Sequence, residues 1–444
     1  MSAEETGVDG PLASELSRPG LTPLQRARAI VGGSAGNLVE WYDWFAYSSF
    51  ALYFAPHFFP KGDPTAQLLQ TAAIFAVGFF ARPLGAWLMG LYADWRGRRA
   101  ALAMSVAMMC AGAFAIAVLP DARQIGALAP LGLLAARILQ GLSVGGEYGA
   151  SATYMSEMAG RARRGFWASF QYVTLIAGQL LALGVLILLQ NLMDKAVLED
   201  WGWRIPFVIG GLLAVVVFWI RRGMDESPSY EAARAEGAER ARTMMLFVRF
   251  PRESAIIFVL TAAGSLAFYA YTTYMQKFLV NTAGFSKNAA TTVTAAALVV
   301  YMLAQPLFGW ISDHVGRKTT IAFAFLAGAV ATYPVMSALA GTTSEGAALG
   351  LIVLLLVILS GYTAVSGLVK AELFPAHVRA LGVALPYALA NALFGGTAEY
   401  VALWFKDVGN ESGFYVYVSA IMAAGFLVAA RLRNTNVHSL IRED

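Results

Sequence analysis

Charge is scarce in this chain: Asp, Glu, Lys and Arg make up 14% of its 444 residues, against 58% hydrophobic ones. A soluble protein of that length cannot cover its surface with so little charge, whereas lipid-facing helices need none. Cysteine is scarcer still. Cys110 stands alone in an apolar run, which excludes an internal disulfide framework and a thiolate metal cage. His57, His314, His377 and His438 are scattered near loops or the tail, so neither a metal nor any other cofactor is expected. No phosphate-cradling G-x-x-x-x-G-K-[ST] phrase occurs, which argues against ATP-driven pumping. Residues 1–25 are polar, with Glu4, Glu5 and Asp9 but no apolar core behind a basic stretch, so no cleaved signal peptide is expected. Gly141-Leu-Ser143-Val-Gly145 matches the G-x-S-x-G of a nucleophile elbow. That elbow needs a strand, a turn and triad partners; inside an apolar run these glycines read as a packing face, and no enzymatic chemistry is expected.

What the chain does have is a phrase written twice. G-L-Y-A-D-W-R-G-R-R runs from Gly90 to Arg99 and G-W-I-S-D-H-V-G-R-K from Gly309 to Lys318. Each is G-x-x-x-D-x-x-G-R plus one more basic residue, and each joins two long apolar stretches. Gly90 and Gly309 permit close helix approach. Asp94 and Asp313 sit at helix ends, where a carboxylate can meet a helix N-terminus or a neighbouring arginine. Gly97-Arg98-Arg99 and Gly316-Arg317-Lys318 form the turns into the next helices. One such loop can be a topology anchor; two at equivalent positions read as latches between related halves. Glu157, Arg163, Arg164 and Gly165 also have counterparts, at similar offsets, in Glu372, Pro375, Arg379 and Gly382.

Twelve apolar runs between residues 28 and 430 are long enough to cross the ~30 Å hydrocarbon layer as helices. Six precede the polar segment 221–252 and six follow it. The expected fold is therefore an all-α membrane protein of two six-helix bundles. Its divisions are a tail over 1–25, a bundle over 26–222, a linker over 223–253, a second bundle over 254–432 and a tail over 433–444. If the helices alternate in direction, 22 of the 32 Lys and Arg fall on one side, with the linker and both termini; seven fall on the other and three lie within helices. Basic residues accumulate on the cytoplasmic side, so the termini are expected there. The net charge of +4 is then topology, and no nucleic-acid partner is expected.

The twin loops, with Arg137-Ile-Leu-Gln140-Gly141, resemble the signatures of the major facilitator superfamily over nearly the whole chain. The phrases G-N-L-V-E-W-Y-D, F-F-A-R-P-L-G, Q-G-L-S-V-G-G-E-Y-G, W-G-W-R-I-P-F and A-E-L-F-P-A-H-V-R-A-L-G are similar to its metabolite:H⁺ symporter family. Trp310 and His314 fill variable positions of the second loop phrase, and no departure breaks the pattern. The resemblance implies a monomeric, multi-pass protein of the bacterial inner membrane that imports an anionic metabolite with protons by alternating access. S-A-T-Y-M-S-E, F-W-A-S-F-Q-Y-V-T-L and T-T-Y-M-Q-K-F-L-V-N-T-A-G point within that family to a dicarboxylate, α-ketoglutarate first. Citrate or a related organic acid is the alternative cargo, and a non-transporting metabolite receptor the alternative of another class. A zwitterionic osmolyte would not need several intramembrane cations.

Ionisable groups at membrane depth are expensive and mark function. Arg82 lies 12 residues before Asp94, about 18 Å along a helix and near the midplane. Its planar fork matches a carboxylate, and it is the expected substrate grip. Lys370, with Ser366 one turn earlier, and Lys277, after Tyr274, gain interest from the resemblance, because a dicarboxylate calls for cations from both halves. Each lysine can instead snorkel to a surface. In the first helix Asn37, Glu40, Asp43, Trp44 and Tyr47 share one arc at 100° per residue. Glu40 and Asp43 are the expected proton carriers, since burial favours a protonated carboxyl, with Arg137 and Glu147 as further members or structural ion-pair partners. Tyr47, Gln171 and Asn391 are expected to line the path, although interhelical hydrogen bonding explains such residues as well. Glu399 is a buried acid to which the sequence assigns no role.

Overall fold

The computed structural model describes residues 23–96, 98–144, 163–222 and 249–432. A helix stands at each of the twelve apolar runs: α1 (Pro23–Phe58), α2 (Pro64–Arg96), α3 (Arg98–Val118), α4 (Leu128–Val144), α5 (Phe170–Leu192) and α6 (Ile205–Arg222), then α7 (Pro251–Tyr271, resuming as Met275–Asn281), α8 (Lys287–Val315), α9 (Arg317–Ala340), α10 (Glu345–Thr363, resuming as Ser366–Glu372), α11 (Ala376–Ala390, continuing as Ala398–Asp407) and α12 (Glu411–Ala430). Among the described residues eight stretches are both long and apolar enough to cross a membrane. Ala103–Val118, Leu128–Ser143 and Gly202–Val216 are shorter apolar helices, and α1 is 36 residues long. No strand is present among the described residues.

Local chemistry sets several ends. Ser286 and Ser344 cap α8 and α10 by accepting the amides of Ala289 (3.1 Å) and Ala347 (3.3 Å), supplying partners that a first helical turn lacks. Gly316, at φ 94°, makes the sharp turn from α8 to α9, a conformation that costs other residues dearly. Large apolar side chains such as Leu303 (66% exposed) and Val330 (69%) face outward; side chains of that size left bare in such numbers are solvated by lipid rather than water.

Three helices are less regular than continuous apolar runs suggest. α7 is interrupted at 272–274 and α10 at 364–365, and α11 passes through a π-helical turn, Asn391–Gly395. Irregular backbone at membrane depth survives where it is buried in protein. These breaks are buried among Tyr271, Thr273, Thr363, Val365 and Asn391. The π turn leaves the Asn391 carbonyl to the amide of Gly396 at 2.7 Å.

α2 packs on α4, α3 on α6 and α1 on α5; in the other bundle α8 packs on α10 and both α9 and α7 pack on α12. The bundles meet where α5 faces α8 and α2 faces α11. The α2–α4 crossing is built on glycine: a Cβ at Gly141 would stand 2.2 Å from the Gly78 carbonyl oxygen, and one at Gly85 would stand 2.2 Å from that of Leu142. Neither obstacle is a side chain that can rotate away. Gly141→Leu is therefore expected to cost about 3 kcal/mol, at the upper end of ordinary overpacking, and to lower the thermal melting midpoint of the detergent-purified protein. An unchanged midpoint would show that the two helices do not cross this closely.

Candidate functional site

Arg82 is the centre of the site. α2 carries it one residue before Pro83, which cannot donate a backbone N–H to the carbonyl four residues back and so loosens the helix there. Its guanidinium carbon lies 3.8 Å from the Trp44 ring centroid, 4.5 Å from that of Phe79 and 5.3 Å from that of Trp41. The side chain is 7% exposed, and its Nε and Nη2 have no hydrogen-bond partner among the described residues. A ring face attracts a cation but accepts no in-plane N–H bond. The guanidinium is thus held in place while donors are left for something else. Glu40, Tyr269, Tyr387 and the like-charged Arg137 are within electrostatic reach, the two tyrosines coming from α7 and α11. Phe79 meets Tyr269 edge-on at 5.3 Å, and a Cβ on Gly396 would touch the Phe79 side chain at 2.5 Å. Both bundles therefore converge on this one guanidinium.

Lys370 follows the break in α10 and is 1% exposed. Its ammonium stands 4.6 Å from the Tyr387 ring centroid and 5.8 Å from that of Tyr362. Tyr387 thus stands near both Arg82 and Lys370. Asn391 lies beside Tyr269 in the π turn, its Oδ1 without a hydrogen-bond partner among the described residues. Gln171 is buried on α5.

The first-helix arc divides. Asn37 accepts the Trp41 indole N–H at 2.9 Å. Glu40 is within electrostatic reach of Arg82. Asp43 turns away from it: its Oδ2 accepts Gln140 Nε2 at 2.7 Å, the Gln140 Oε1 accepts Arg137 Nη1 at 2.8 Å, and its Oδ1 stands where a Cβ on Gly210 would come within 2.8 Å. Arg137 is fully buried, stacked between the rings of Trp44 (4.1 Å) and Tyr47 (4.4 Å). Gln140 bridges Asp43 and Arg137 by hydrogen bonds, and the two charges also lie within direct electrostatic reach of each other. Tyr47 is engaged within its own bundle. Its hydroxyl donates to the Thr71 carbonyl at 3.0 Å and its ring supports Arg137.

Lys277 does not snorkel. It is fully buried, 2.8 Å from Glu399 Oε2 of α11 and 2.5 Å from Ser48 Oγ of α1. Tyr274 stacks edge-on with Phe278 and Phe414, in the second segment of α7 and against α12.

Of the second loop phrase, Asp313 reaches across to the other bundle. Its oxygens accept the amides of Gly165 (2.7 Å) and Phe166 (3.0 Å) in the short helix Arg164–Ala168. Arg317 sits 3.4 Å from both Asp313 and Glu372, and Gly309 lies against Gly165. Lys318 is partly exposed. In the first phrase Gly90, Asp94, Arg98 and Arg99 fall at the end of α2 and the start of α3, with side chains that the structure does not describe. Gly97 and Glu147 lie outside the described residues.

Bonds between the bundles also tie the opposite face. Lys287 of α8 bonds Glu199 (2.8 Å) and the Leu52 carbonyl (2.9 Å), Gln190 bonds Thr291 (3.3 Å), and Asn281 bonds Thr65 (3.2 Å). A cavity of about 450 Å³ opens at that face, lined by residues including Tyr53, Gln190, Lys195, Glu199, Lys287 and Asn288. Arg82 lies elsewhere, sealed among aromatic rings, and the described residues are tied together at both faces.

The description "Sugar (and other) transporter" matches residues 29–253 and 245–437. The chain is 54% identical over 409 residues to the alpha-ketoglutarate permease of Escherichia coli K12, covering 92% of this chain and 94% of that protein. It is 32% identical over 399 residues to a citrate-proton symporter of Klebsiella pneumoniae, covering 89% and 90%. Its fold matches the solved structure of the major facilitator superfamily proton:xylose symporter XylE bound to 6-bromo-6-deoxy-D-glucose, with a TM-score of 0.76 at 17% identity, over 94% of this chain and 98% of that one. Gly141 and its neighbours are accordingly packing residues of a transporter, not an enzyme's elbow. Twelve helices in two bundles, buried cations where the bundles meet and a family match spanning both bundles lead to one conclusion: the chain belongs to the sugar (and other) transporter family.

Proposed function

We propose that the chain is a proton-coupled symporter that imports a dicarboxylate, α-ketoglutarate foremost, by alternating access across the bacterial inner membrane. The observation that carries this reading is the buried Arg82 guanidinium with Nε and Nη2 unbonded among the described residues. A buried cation with free in-plane donors is costly until an anion meets it, and a carboxylate meets a guanidinium with two parallel bonds. The second cation, for the second carboxylate, comes from the other bundle: Lys370, beyond Tyr387, or Lys277, beside Glu399. Tyr387, Tyr269 and Asn391 orient the carbon chain between them. The 54% identity to the permease supports α-ketoglutarate as the cargo, and the 32% identity to the citrate symporter supports citrate as the alternative.

Coupling to protons has an energetic reason. Moving a dianion into a negative interior costs ~2.3 kcal/mol per charge per 100 mV, and accompanying protons remove that cost. Asp43, linked through Gln140 to Arg137, and Glu40, within reach of Arg82, are the proton carriers on α1 in this reading. Asp313 latches the face of the twin phrases, and the positive-inside distribution supports that face, both termini and the linker as cytoplasmic. The transporter works as a monomer embedded in lipid.

The test is uptake of labelled α-ketoglutarate into proteoliposomes carrying the full chain, with an acidic exterior imposed, in competition with a panel of mono-, di- and tricarboxylates. Accumulation that collapses with the pH gradient and is competed best by five-carbon dicarboxylates is expected. Citrate competing better would move the assignment to the citrate reading. Tight binding with no accumulation would leave a receptor.

A further inference from the structure

The Lys277–Glu399 pair is an ion pair buried between the bundles, and the α1 carboxylates take no part in it. Lys277 lies in the first turn of the second segment of α7, which resumes at Met275; Glu399 lies in the first turn of the segment of α11 that resumes at Ala398 after the π turn. The ammonium is shared between Glu399 Oε2 (2.8 Å) and Ser48 Oγ (2.5 Å), and Ser48 itself is 3.3 Å from the same carboxylate oxygen. The triangle therefore spans the seam between the bundles, where transporters of repeated architecture hold their cargo. A pair that only braced α7 against α11 would need no contact with α1.

We propose that Glu399 occupies, on Lys277, the place of a substrate carboxylate, and that it takes up a proton when the substrate displaces it. This rests on the dicarboxylate reading above and adds to it a further coupling group, outside α1. The charge balance forces the exchange. One buried ammonium neutralises one carboxylate; a substrate carboxylate arriving beside Glu399 leaves one negative charge uncompensated in a medium that tolerates none. When a proton from the water on the side of arrival binds the Glu399 carboxylate, the substrate oxygen replaces Glu399 on the ammonium, and the site is again neutral. Release reverses the step: the substrate leaves Lys277, Glu399 gives its proton to water on the other side, and the ion pair re-forms. The empty carrier then returns with its charge paired, which removes the need for a proton to ride back.

The neighbours leave Glu399 free to act this way. Apart from Lys277 and Ser48, the ionisable groups facing it are the phenols of Tyr47 on α1 and Tyr274 on α7. α2 and α12 also pack on this helix. The charged group that α2 buries is Arg82, held by its own aromatic rings, and α12 brings Glu411, which is engaged with Lys406 and Thr282 at the far end, and Tyr415, stacked on Phe278.

The test is binding of labelled α-ketoglutarate to the purified full chain across pH, with a pH indicator counting protons taken up per bound substrate. In the wild type affinity weakens as pH rises. Glu399→Gln is expected to remove one proton from the linkage, which makes the dependence shallower by about tenfold per pH unit and lowers proton uptake by one per site. A residue that merely braces helices would reduce the amount of folded protein without altering that count. An unchanged slope and count in Glu399→Gln overturn the proposal. So does zero proton uptake by the wild-type protein, a measurement that does not depend on any variant folding. Wild-type protein that binds citrate but not α-ketoglutarate defeats the assigned cargo instead, and the same pH series with citrate still decides the role of Glu399.

Discussion

Arg82→Gln is expected to lower α-ketoglutarate uptake by two orders of magnitude or more at equal abundance in the membrane. Removing one partner of a desolvated, hydrogen-bonded charge pair costs about 2–5 kcal/mol, and about 1.4 kcal/mol is already tenfold. Glutamine keeps some polarity but loses the charge and the two-pronged donor face, leaving a substrate carboxylate buried against Trp41, Trp44 and Phe79 with nothing to neutralise it. Arg82→Lys separates charge from geometry. A lysine restores the cation, but as a point charge that cannot form two parallel bonds. Uptake by this variant is expected to lie between those of Arg82→Gln and the wild type. Initial rates of labelled uptake, normalised to transporter quantified in the membrane fraction, measure both. Wild-type uptake by Arg82→Gln would reject Arg82 as the grip and leave its unbonded donors without a function.

The burial of Arg82 was legible in the sequence because its argument is local: a cation 12 residues up an apolar helix from Asp94 cannot be left in lipid and must turn into the protein. The twelve helices were legible for the same reason, since hydrophobic length is written along the chain. What the sequence does not show is how side chains meet across the molecule. Lys277 and Glu399 are 122 positions apart and Ser48 is 351 from Glu399, so no spacing reveals that an acid without a role and a lysine near a helix end neutralise one another. Periodicity put Glu40 and Asp43 on one arc, but an arc of that width meets more than one neighbour: Glu40 is within electrostatic reach of Arg82, and Asp43 accepts a hydrogen bond from Gln140. Gln140 itself was visible only as a motif letter. Its position one turn after Arg137 was the signal that it could bridge that arginine to an acid. The breaks in α7, α10 and α11 escaped because apolar composition does not record where a backbone unwinds. Tyr47 and Tyr274 illustrate the same limit: their phenols suit a substrate, yet tertiary packing commits the Tyr47 hydroxyl to the Thr71 carbonyl and sets the Tyr274 ring edge-on against Phe278 and Phe414.

Gly309→Val is expected to abolish accumulation while leaving binding of α-ketoglutarate largely intact. In the structure the backbones of the two bundles come together at this point: a Cβ at Gly309 would stand 2.5 Å from the Gly165 carbonyl oxygen, and one at Gly165 would stand 2.6 Å from that of Gly309. The contact is between main chains, so no rotamer change can make room. With the faces held apart, Asp313 can no longer accept the amides of Gly165 and Phe166, and the loss of both charge-assisted bonds adds to the steric term. Asp313→Ala isolates that second part. Hydrogen bonds to a charged group contribute about 1.5–3 kcal/mol each, so losing even 2 kcal/mol net shifts the balance between closed and open toward open by roughly thirtyfold. Asp313→Ala should therefore transport slowly where Gly309→Val does not transport at all. A carrier that cannot close this face still exposes its site to one side, so equilibrium binding survives while cycling stops. Comparing binding with counterflow in proteoliposomes reads the difference: Gly309→Val should bind without exchanging. Exchange at the wild-type rate would mean that the meeting of Gly309 with Gly165 is not a step in the transport cycle, and that Asp313 anchors a loop rather than latches a gate.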